Sequence, residues 1–410
     1  MIKIAQENKR ESGGYVWNRC GIRRGIDKYH RVSTACRGDS KLVGRILQFQ
    51  PWFGPEERQA LTDVIDSGWI GEHAKTRQFE RAFVDLVGSK FGVATTSGGV
   101  AIYLALKSLG VKSGDEVVVP DYTMIATANA VRLAGATPVF ADVRREDGLI
   151  DVSEVMKKIT PRTRCIIPVH INGRACQMDA LLDLAKHRSL YVVEDACQAI
   201  GSHLAGKHLG TFGDAGCFSF HPSKHMTTGQ GGMVVTDNEE TYEKLCRLKD
   251  YGRFERAKLV ELPDYYDTFG FNFRFTDIQA ALGLAQLAKL PFRLRRISEI
   301  YATYRKELDS SFLLDLRDQP GFVPWYADVL FGEPRINAKL KEKLSSQFGV
   351  ETRLAYKPLH RQPLYGLSGE FPSADFFSER GLWLPSSTFL TNEEVAFVID
   401  SFNKAVQGSH

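Results

Sequence analysis

The sequence predicts an α/β protein with a three-layer αβα large domain built on a mainly parallel sheet, followed by a smaller α+β domain at the C-terminus. Short β-branched runs alternate with helical stretches through much of the chain. These strand-like runs are almost continuously apolar, which is typical of strands that helices cover on both faces. With 410 residues, 43% of them apolar and 25% charged, the chain is long enough for two domains.

The elements of the large domain follow from apolar spacing and β-branched runs. The predicted helices cover residues 55–67, 76–90, 98–109, 124–134, 151–158 and 178–187. The predicted strands cover residues 116–120, 137–143, 164–171, 189–194, 216–220 and 232–236. A glycine-rich connection joins the last two strands, so this pair can depart from the parallel order.

The pattern changes after a long helical region over residues 277–308. The elements that follow are a strand-like run at 321–331, a helix at 335–348, a strand-like run at 350–357 and a final helix at 392–405. We therefore predict a large domain over residues 47–295 and a small domain over 296–410.

The first 46 residues form a basic extension with little periodicity. They contain 11 Lys/Arg and 4 Asp/Glu, a net charge of +7, whereas the rest of the chain carries −3. Several interpretations stay open: a poorly ordered extension, a targeting or binding arm, a product of an upstream start site, or a segment packed on the body. Because the body is slightly acidic, nucleic acid is not an expected partner.

Other compositional features favour a cytoplasmic protein without a membrane partner. No apolar run approaches the roughly 18 residues of a membrane span, and the N-terminus lacks the apolar core of a secretory signal. The seven cysteines are odd in number, scattered, and form no C-x-x-C pair. This pattern fits a reducing compartment better than a disulfide scaffold or a zinc ribbon.

Three predicted strand ends carry unusual residues, and ligands of such sheets bind at the carboxyl ends of the strands. The first is Ser97-Gly98-Gly99, which opens the helix at 98–109. Small residues at a helix start let a phosphate approach the backbone N–H groups, where the helix dipole favours an anion. A tight turn with a serine N-cap explains the same residues without a ligand.

The second strand end is VVEDACQ at 192–198, where an apolar strand ends in Glu194 and Asp195. An aspartate beside a buried surface needs a partner, such as a cation or a protonated ring nitrogen. A helix-capping aspartate is the alternative interpretation.

The third strand end is FSFHPSKHMTTGQGG at 218–232, centred on Lys224. A lysine in this position is costly unless its ammonium is solvated, paired or reactive, and a lysine amine of lowered pKa can form a Schiff base. An exposed loop lysine near a hairpin remains the structural alternative.

Two rival sites find little support. His221 and His225 have the i,i+4 spacing of metal ligands on a helix, but Pro222 interrupts the helix and no third ligand is suitably spaced. No metal site is therefore expected. G-x-G-x-x-G and G-x-x-x-x-G-K-[ST] are both absent, which argues against dinucleotide and Walker-type sites.

Together the three strand ends describe one site. Gly98, Gly99 and Ser219 would contact a phosphate, Asp195 a ring nitrogen, and Lys224 an aldehyde. Pyridoxal 5′-phosphate has these three groups, and its ring serves as an electron sink.

Several motifs in a fixed order extend this interpretation over roughly residues 47–406. They are PWFGPEE (51–57), DSGWI (66–70), SGG (97–99), GDEVVVP (114–120), VHING (169–173), EDACQAIG (194–201), SFHPSK (219–224), TTGQGG (227–232), GFNFR (270–274) and LPS (384–386). With them the chain resembles the DegT/DnrJ/EryC1/StrS sugar aminotransferases of the fold type I, or aspartate aminotransferase, superfamily. Among the members it resembles the GDP-perosamine synthases.

The resemblance implies a role for each matching residue. Lys224 matches the lysine that bonds the cofactor and moves a proton, Asp195 the acid at the pyridine nitrogen, and Gln198 a residue near the ring hydroxyl. Gly98, Gly99 and Ser219 match phosphate contacts. Asn272 matches an asparagine that reaches the phosphate from a second subunit, which implies a homodimer with shared active sites. His360 matches a histidine near the sugar.

The implied reaction transfers an amino group, with L-glutamate as the donor and pyridoxamine 5′-phosphate as the intermediate form of the cofactor. The expected acceptor is a keto-deoxy sugar attached to a nucleotide, aminated at C4 or, as second choice, at C3. Basic residues that could meet the diphosphate are Arg253, Arg256, Arg274 and Arg361, and solvated surface charges are the alternative interpretation of all four. A non-sugar cyclic ketone or antibiotic precursor as acceptor, and a non-catalytic regulator with the same fold, are the alternatives.

Three departures from the family pattern bear on the site. Gly99 stands where members usually have Thr or Ser, so one phosphate hydroxyl contact is missing. Met124 replaces a common aromatic residue on the ring face, and a thioether can still pack there. Gln230 replaces a glutamate near Lys224. None of these changes removes the essential amine.

Overall fold

The computed structural model describes residues 45–253, 266, 268–316, 318–366 and 369–407. The basic extension predicted over residues 1–46 lies outside this part of the chain except for its last two residues. Arg256 also lies outside it.

The described helices and strands follow the predicted alternation. The helices are α1 (Pro55–Ser67), α2 (Ala74–Val87), α3 (Gly98–Ser108), α4 (Ala126–Leu133), α5 (Val152–Lys158), α6 (Met178–Arg188), α7 (Glu239–Lys249), α8 (Asp277–Glu307), α9 (Ile336–Phe348), α10 (Pro372–Arg380) and α11 (Asn392–Gln407). The strands are β1 (Phe91–Thr95), β2 (Glu116–Pro120), β3 (Thr137–Ala141), β4 (Thr163–Ile166), β5 (Tyr191–Asp195), β6 (His203–Leu204), β7 (Lys207–His208), β8 (Ala215–Ser219), β9 (Gly232–Thr236), β10 (Leu313–Leu314), β11 (Ala327–Phe331), β12 (Arg353–Leu354) and β13 (Gly381–Leu384).

A seven-stranded sheet in the order β1-β9-β8-β5-β4-β2-β3 forms the centre of the larger part of the fold. The five strands from β8 to β3 pair in parallel, whereas β9 is antiparallel to both β8 and β1. The prediction of a mainly parallel sheet is confirmed, as is the departure at the glycine-rich connection. Strands β2, β8 and β9 are buried along their whole length, as their apolar sequences require.

Strand β1 was missed by the sequence analysis because its five residues FGVAT include a central glycine. A Cβ at Gly92 would lie 2.6 Å from Val84 Cγ1, so the glycine lets the strand pack closely against α2. Helices α7 and α10 and the strands β6, β7, β10 and β13 were not predicted either.

A second, antiparallel sheet has the order β10-β11-β13-β12. Its apolar side packs with the second half of α8 and with α9 and α11. The strand-like runs at 321–331 and 350–357 were predicted too long, since only Ala327–Phe331 and Arg353–Leu354 are strands. The backbone of residues 323–326 instead bonds to loops of the larger sheet.

Helix α8 runs through residue 295, where the sequence analysis placed the domain boundary. Its first part packs in the core beside α2 through residues such as Ala280, and its last turns pack in the core of the second sheet through Ile300 and Tyr304. The division at 295 therefore falls within a continuous helix that serves both cores, and it stays a prediction.

Two residues after β4 join the two sheets. Asn172 adopts a left-handed conformation with φ of 52°. Its side-chain nitrogen donates to Tyr326 O at 2.8 Å, and its side-chain oxygen accepts from Tyr326 N at 2.6 Å. Arg174, which is fully buried, donates to both carboxylate oxygens of Asp328 at 2.7 and 2.8 Å.

No helix in the described ranges combines the length and the apolar character needed to cross a membrane.

Candidate active site

The start of α3 lies against the ends of β5 and β8. A Cβ at Gly98 would lie 2.8 Å from Cys197 Sγ and 2.8 Å from Ser219 Cβ, so only glycine fits at this first position of the helix. Ser97 caps α3, because its Oγ accepts from Val100 N at 3.2 Å. The prediction that Gly98 and Ser219 lie together thus has direct structural support.

This corner is suited to an anion. The N-terminus of α3 presents backbone N–H groups and the positive end of the helix dipole, and Ser219 adds a nearby hydroxyl. Gly99 has more room than Gly98, since a Cβ there would meet Ala126 Cβ at 3.8 Å, an ordinary contact. The helix start can therefore approach a phosphate closely.

Asp195 is the last residue of β5 and is buried, with 6% of its surface exposed. Oδ2 accepts from Thr127 Oγ1 at 2.8 Å, and Oδ1 accepts from Cys197 N at 3.1 Å. These two neutral donors orient the carboxylate without neutralising it. A buried carboxylate with spare acceptor capacity is suited to a cationic or protonated partner.

Lys224 lies in the loop between β8 and β9, and its side chain is half-buried. Burial lowers the pKa of Lys224 to about 8, although the charge of Asp195 opposes this shift. The positive charge of Arg353 lowers the pKa of Lys224 as well. Since the charge of Asp195 acts on Lys224, the amine and the carboxylate belong to one site, and this amine loses its proton more readily than an ordinary lysine.

Lys224 rests on an aromatic ring. Its Nζ lies 3.4 Å from the ring centroid of Trp325, a residue that is 4% exposed. Trp325 Nε1 donates to Ser223 O at 2.7 Å, which fixes the indole beside the lysine. Trp325 in turn packs with Tyr326 and Trp383. The apolar wall beside the amine thus comes from the segment that leads into β11.

Gln198 and Met124 flank these groups. Gln198 Oε1 accepts from Asn172 N at 2.8 Å, and its Nε2 donates to Tyr356 Oη at 3.4 Å. Met124 is 44% exposed, and its Sδ accepts from Ala126 N at 3.0 Å. Both residues lie beside the elements that carry Asp195 and Gly99, so their predicted roles are compatible with their positions.

Among the described residues, no side-chain contact joins Asn272 or Arg274 to Lys224 or Asp195. Asn272 is exposed, and its Oδ1 accepts from Arg274 Nε at 3.1 Å. Arg274 also pairs with Asp250 at 3.4 Å. An exposed asparagine of this kind is available to a second subunit, whereas Arg274 already has a carboxylate partner.

His360 is held by the residue that follows β2. Its Nδ1 lies 2.6 Å from Asp121 Oδ2, its backbone N donates to Asp121 Oδ1 at 2.8 Å, and its ring stacks on Phe371. Burial raises the pKa of Asp121, against the opposing influence of His360. Arg361, next in sequence, pairs with Asp375 at 2.7 Å. No described contact joins His360 or Arg361 to Lys224.

The structure adds residues that the sequence analysis missed. Thr127 lies one helical turn after Met124, and its hydrogen bond to Asp195 could have been suspected from that spacing. Trp325 lies in the segment before β11 and Arg353 lies in β12, and no local pattern links them to Lys224. Arg353 is exposed, and its guanidinium lies 5.5 Å from the ring centroid of Tyr356 and 5.2 Å from that of Trp383. An exposed guanidinium near Lys224 is suited to an anionic group of a substrate.

The site as a whole fits a cofactor that has a phosphate, a protonatable ring nitrogen and an aldehyde. Gly98 keeps the phosphate corner open because any side chain there would collide with Cys197 and Ser219. Asp195 offers a buried carboxylate to the nitrogen, and Lys224 offers an amine of lowered pKa to the aldehyde. The donor set is thus the one that pyridoxal phosphate requires.

Comparisons with known sequences also indicate an aminotransferase. The sequence profile of the DegT/DnrJ/EryC1/StrS aminotransferase family matches residues 52–403. A GDP-perosamine synthase from Escherichia coli O157:H7 is 35% identical over 359 residues, which cover 87% of this chain and 97% of that protein. A GDP-perosamine synthase from Vibrio cholerae is 33% identical over 85% of this chain and 95% of its own length.

Solved structures resemble this one over nearly their whole length. The aminotransferase TlmJ from Streptoalloteichus hindustanus has a TM-score of 0.84 at 30% identity, covering 90% of this chain and 100% of that chain. The 3-amino-5-hydroxybenzoic acid synthase has a TM-score of 0.82 at 25% identity, covering 89% of this chain and 100% of that chain.

Proposed function

This chain belongs to the DegT/DnrJ/EryC1/StrS aminotransferase family, and we propose that it transfers an amino group from L-glutamate to a keto-deoxy sugar attached to a nucleotide. It is a pyridoxal phosphate-dependent aminotransferase, as its family and its structural neighbours are. The proposal concerns its two substrates. We place the new amino group at C4 of the sugar, with C3 as the second choice.

The observation that carries the proposal is the match to GDP-perosamine synthases, which extends over 95–97% of their length. Those proteins are named for an amino sugar on a guanine nucleotide. A match over both sheets includes the strands that would surround the acceptor as well as those that hold the cofactor. We therefore expect the acceptor of this chain to be a sugar nucleotide as well.

Each residue of the site has a defined task. Gly98, Gly99 and Ser219 would hold the phosphate, and Asp195 would keep a proton on the ring nitrogen by its negative charge. Thr127 would keep the Asp195 carboxylate turned toward that nitrogen. When bound, pyridoxal phosphate supplies an aldehyde that bonds to amines and a ring that draws electrons from the carbon under deprotonation.

Lys224 would first bind the aldehyde and later move a proton. Its Nζ must accept a proton at one stage and donate it at another, so a pKa close to the working pH is useful. Burial lowers the pKa of Lys224 to about 8, which keeps both forms within reach near neutrality.

Arg353 is the residue that we assign to the anionic part of the substrates. It is exposed and stacks over Tyr356 and Trp383, and its charge acts on Lys224. It can bind a carboxylate of glutamate or a phosphate of the nucleotide in a two-pronged arrangement. His360 would contact the sugar, with its ring fixed by Asp121.

A second copy of the chain would complete the site. Asn272 is exposed, and Phe269 in the same surface segment is 84% exposed. A second large apolar side chain, Trp69, is 63% exposed. Large apolar side chains at the surface are typical of an interface between proteins. We therefore propose a homodimer in which Asn272 of each copy reaches the phosphate of the other.

The test combines a trapping step with a turnover assay. Borohydride should fix the cofactor on Lys224, as identified by peptide mass spectrometry. The loaded protein with L-glutamate and a GDP-linked 4-keto-deoxyhexose should give 2-oxoglutarate and an amino sugar, whose NMR spectrum locates the nitrogen at C4 or C3. Lys224→Ala should abolish both results, and Lys404→Ala, an exposed position on α11, should change neither. Turnover by Lys224→Ala, or a failure to aminate any sugar nucleotide, would contradict the proposal.

A second candidate function rests on the likeness to 3-amino-5-hydroxybenzoic acid synthase, whose named product is not a sugar. In this alternative the cofactor chemistry is unchanged and the acceptor is a cyclic ketone. Competition between the sugar nucleotide and a cyclic ketone, with glutamate as the donor, separates the two functions.

A further inference from the structure

Trp325 makes a contact with Lys224 that the assigned roles do not explain. The ammonium nitrogen lies 3.4 Å from the ring centroid, well inside the range of about 6 Å in which an aromatic face attracts a cation. Trp325 lies just before β11, far from Lys224 in sequence, so the contact is made by the tertiary fold. Indole is also the aromatic group that attracts cations most strongly.

The indole ring is fixed in place by several groups. Its Nε1 donates to Ser223 O, the carbonyl directly before Lys224, and its backbone N donates to Asn172 O at 3.3 Å. The ring packs against Tyr326 at 4.3 Å and edge-on against Trp383 at 5.7 Å between centroids. The face beneath Lys224 is therefore held at a set distance from the lysine.

The charged groups that act on Lys224 do not hold its ammonium by themselves. Among the described residues, Asp195 favours its charged form through Coulomb attraction, without a hydrogen bond to it, and Arg353 disfavours it. The two histidines of the same loop also feel the lysine: burial lowers the pKa of His221 and of His225, and the charge of Lys224 adds to both shifts. What touches Nζ directly in this set is the indole face.

The proposed function requires the amine to leave the cofactor once in every cycle. An amino donor takes the place of Lys224 at the aldehyde, and Lys224 must then stay within reach as a proton carrier. A free lysine side chain has much rotational freedom. An amine with no group to bind it would therefore spend little time in the productive position.

We propose that the indole face of Trp325 binds the Lys224 ammonium whenever this amine is not bonded to the cofactor. Trp325 is thus a positioning residue: it acts through Lys224 and stabilises the proton-carrying form of the amine next to the reacting carbon. This inference rests on the proposed role of Lys224, but not on the identity of the acceptor.

The experiment measures the titration of Lys224 in cofactor-free protein, independently of turnover. Acetic anhydride labels lysine only when the amine is neutral, and peptide mass spectrometry follows the labelling of Lys224 from about pH 6 to 10. Trp325→Leu removes the aromatic face, so the midpoint of the Lys224 titration should fall by about one pH unit. Labelling near pH 7 should then be up to about tenfold faster. Trp325→Phe keeps a weaker aromatic face and should give a smaller shift in the same direction.

Trp52→Leu serves as the matched control. The ring of Trp52 lies 5.0 Å from the ammonium of another lysine, Lys289, which also pairs with two carboxylates. This substitution removes an equal side chain elsewhere and should leave the titration of Lys224 unchanged. The proposal that Trp325 binds the Lys224 ammonium is overturned by one result: an unchanged titration of Lys224 in Trp325→Leu and Trp325→Phe, with Lys224 still trapped by borohydride in the loaded protein. Absence of trapping in the wild-type protein overturns the proposed function instead.

Discussion

Gly98 and Gly99 are adjacent in the first turn of α3, yet the space around their Cα atoms differs, so the same substitution should have opposite effects at the two positions. A serine at 99 would place its Cβ 3.8 Å from Ala126 Cβ, an ordinary contact. A serine at 98 would place its Cβ 2.8 Å from both Cys197 Sγ and Ser219 Cβ, which is closer than real atoms approach.

The expected magnitudes follow from these distances. Gly99→Ser adds a hydroxyl where the family usually has one, and a hydrogen bond to a charged phosphate contributes about 1.5 kcal/mol. Some of this is offset by ordering the new side chain, so the cofactor should bind about three- to tenfold more tightly. Gly98→Ser overpacks the corner at a cost of about 1–3 kcal/mol, which corresponds to binding about 5- to 160-fold weaker.

The assay titrates cofactor-free protein with pyridoxal phosphate and follows the visible absorbance of the lysine-bound form. A parallel titration with pyridoxal, which lacks the phosphate, is the control: the gain from Gly99→Ser should disappear there. If Gly99→Ser weakens binding, or strengthens the binding of pyridoxal equally, the assignment of the phosphate to the start of α3 is refuted.

Further predictions concern Asp195, Thr127, Arg353 and Lys224. Asp195→Asn, which keeps the shape but removes the charge at the ring nitrogen, should lower the single-turnover rate about a hundredfold or more. Thr127→Val removes the 2.8 Å hydrogen bond to Asp195 and should lower kcat about fivefold, whereas Thr127→Ser should restore it. Arg353→Met should raise KM for an anionic substrate about tenfold with kcat little changed; KM measured separately for glutamate and for the sugar nucleotide identifies which anion Arg353 binds. The last prediction concerns stability: the pKa of Lys224 is about 8 in the folded protein and 10.5 in the unfolded chain. Between these pH values the unfolded chain binds more protons than the folded protein. The free energy of unfolding of the cofactor-free protein should therefore rise with pH in this range. Urea midpoints measured across this range should show that slope in the wild type and a smaller one in Lys224→Met.

The sequence was sufficient for the order of the large-domain elements because parallel strands buried on both faces have an unmistakable apolar pattern. Strand β1 was not predicted because it contains Gly92, which has a low strand propensity. The glycine is needed there because a Cβ would collide with Val84 of α2. The two strands around residues 325 and 353 were predicted too long for another reason. Trp325 and Tyr326 form an aromatic cluster with Trp383, against which Tyr356 packs, and the backbone of residues 323–326 bonds to loops of the larger sheet.

The family resemblance was confirmed. Gly98 lies against Ser219 and Cys197, and the charge of Asp195 acts on Lys224, but the roles of these residues stay predictions. Those residues follow strand ends, so chain order and topology together predict their proximity. Trp325 and Arg353 could not be found in this way, because the segment before β11 and strand β12 come near Lys224 only through tertiary packing. The role of Asn272 depends on a second copy of the chain, and it remains a prediction.

The junction at Asn172 and Arg174 determines how the site can open. To separate the second sheet from the larger one, the protein would have to break both side-chain bonds of Asn172 to Tyr326 and the two-pronged Arg174–Asp328 pair together. Trp325 lies immediately before Tyr326, so a separation of the two sheets would also move the indole ring that lies against Lys224. The junction therefore fixes the aromatic face beside the amine as firmly as it joins the sheets.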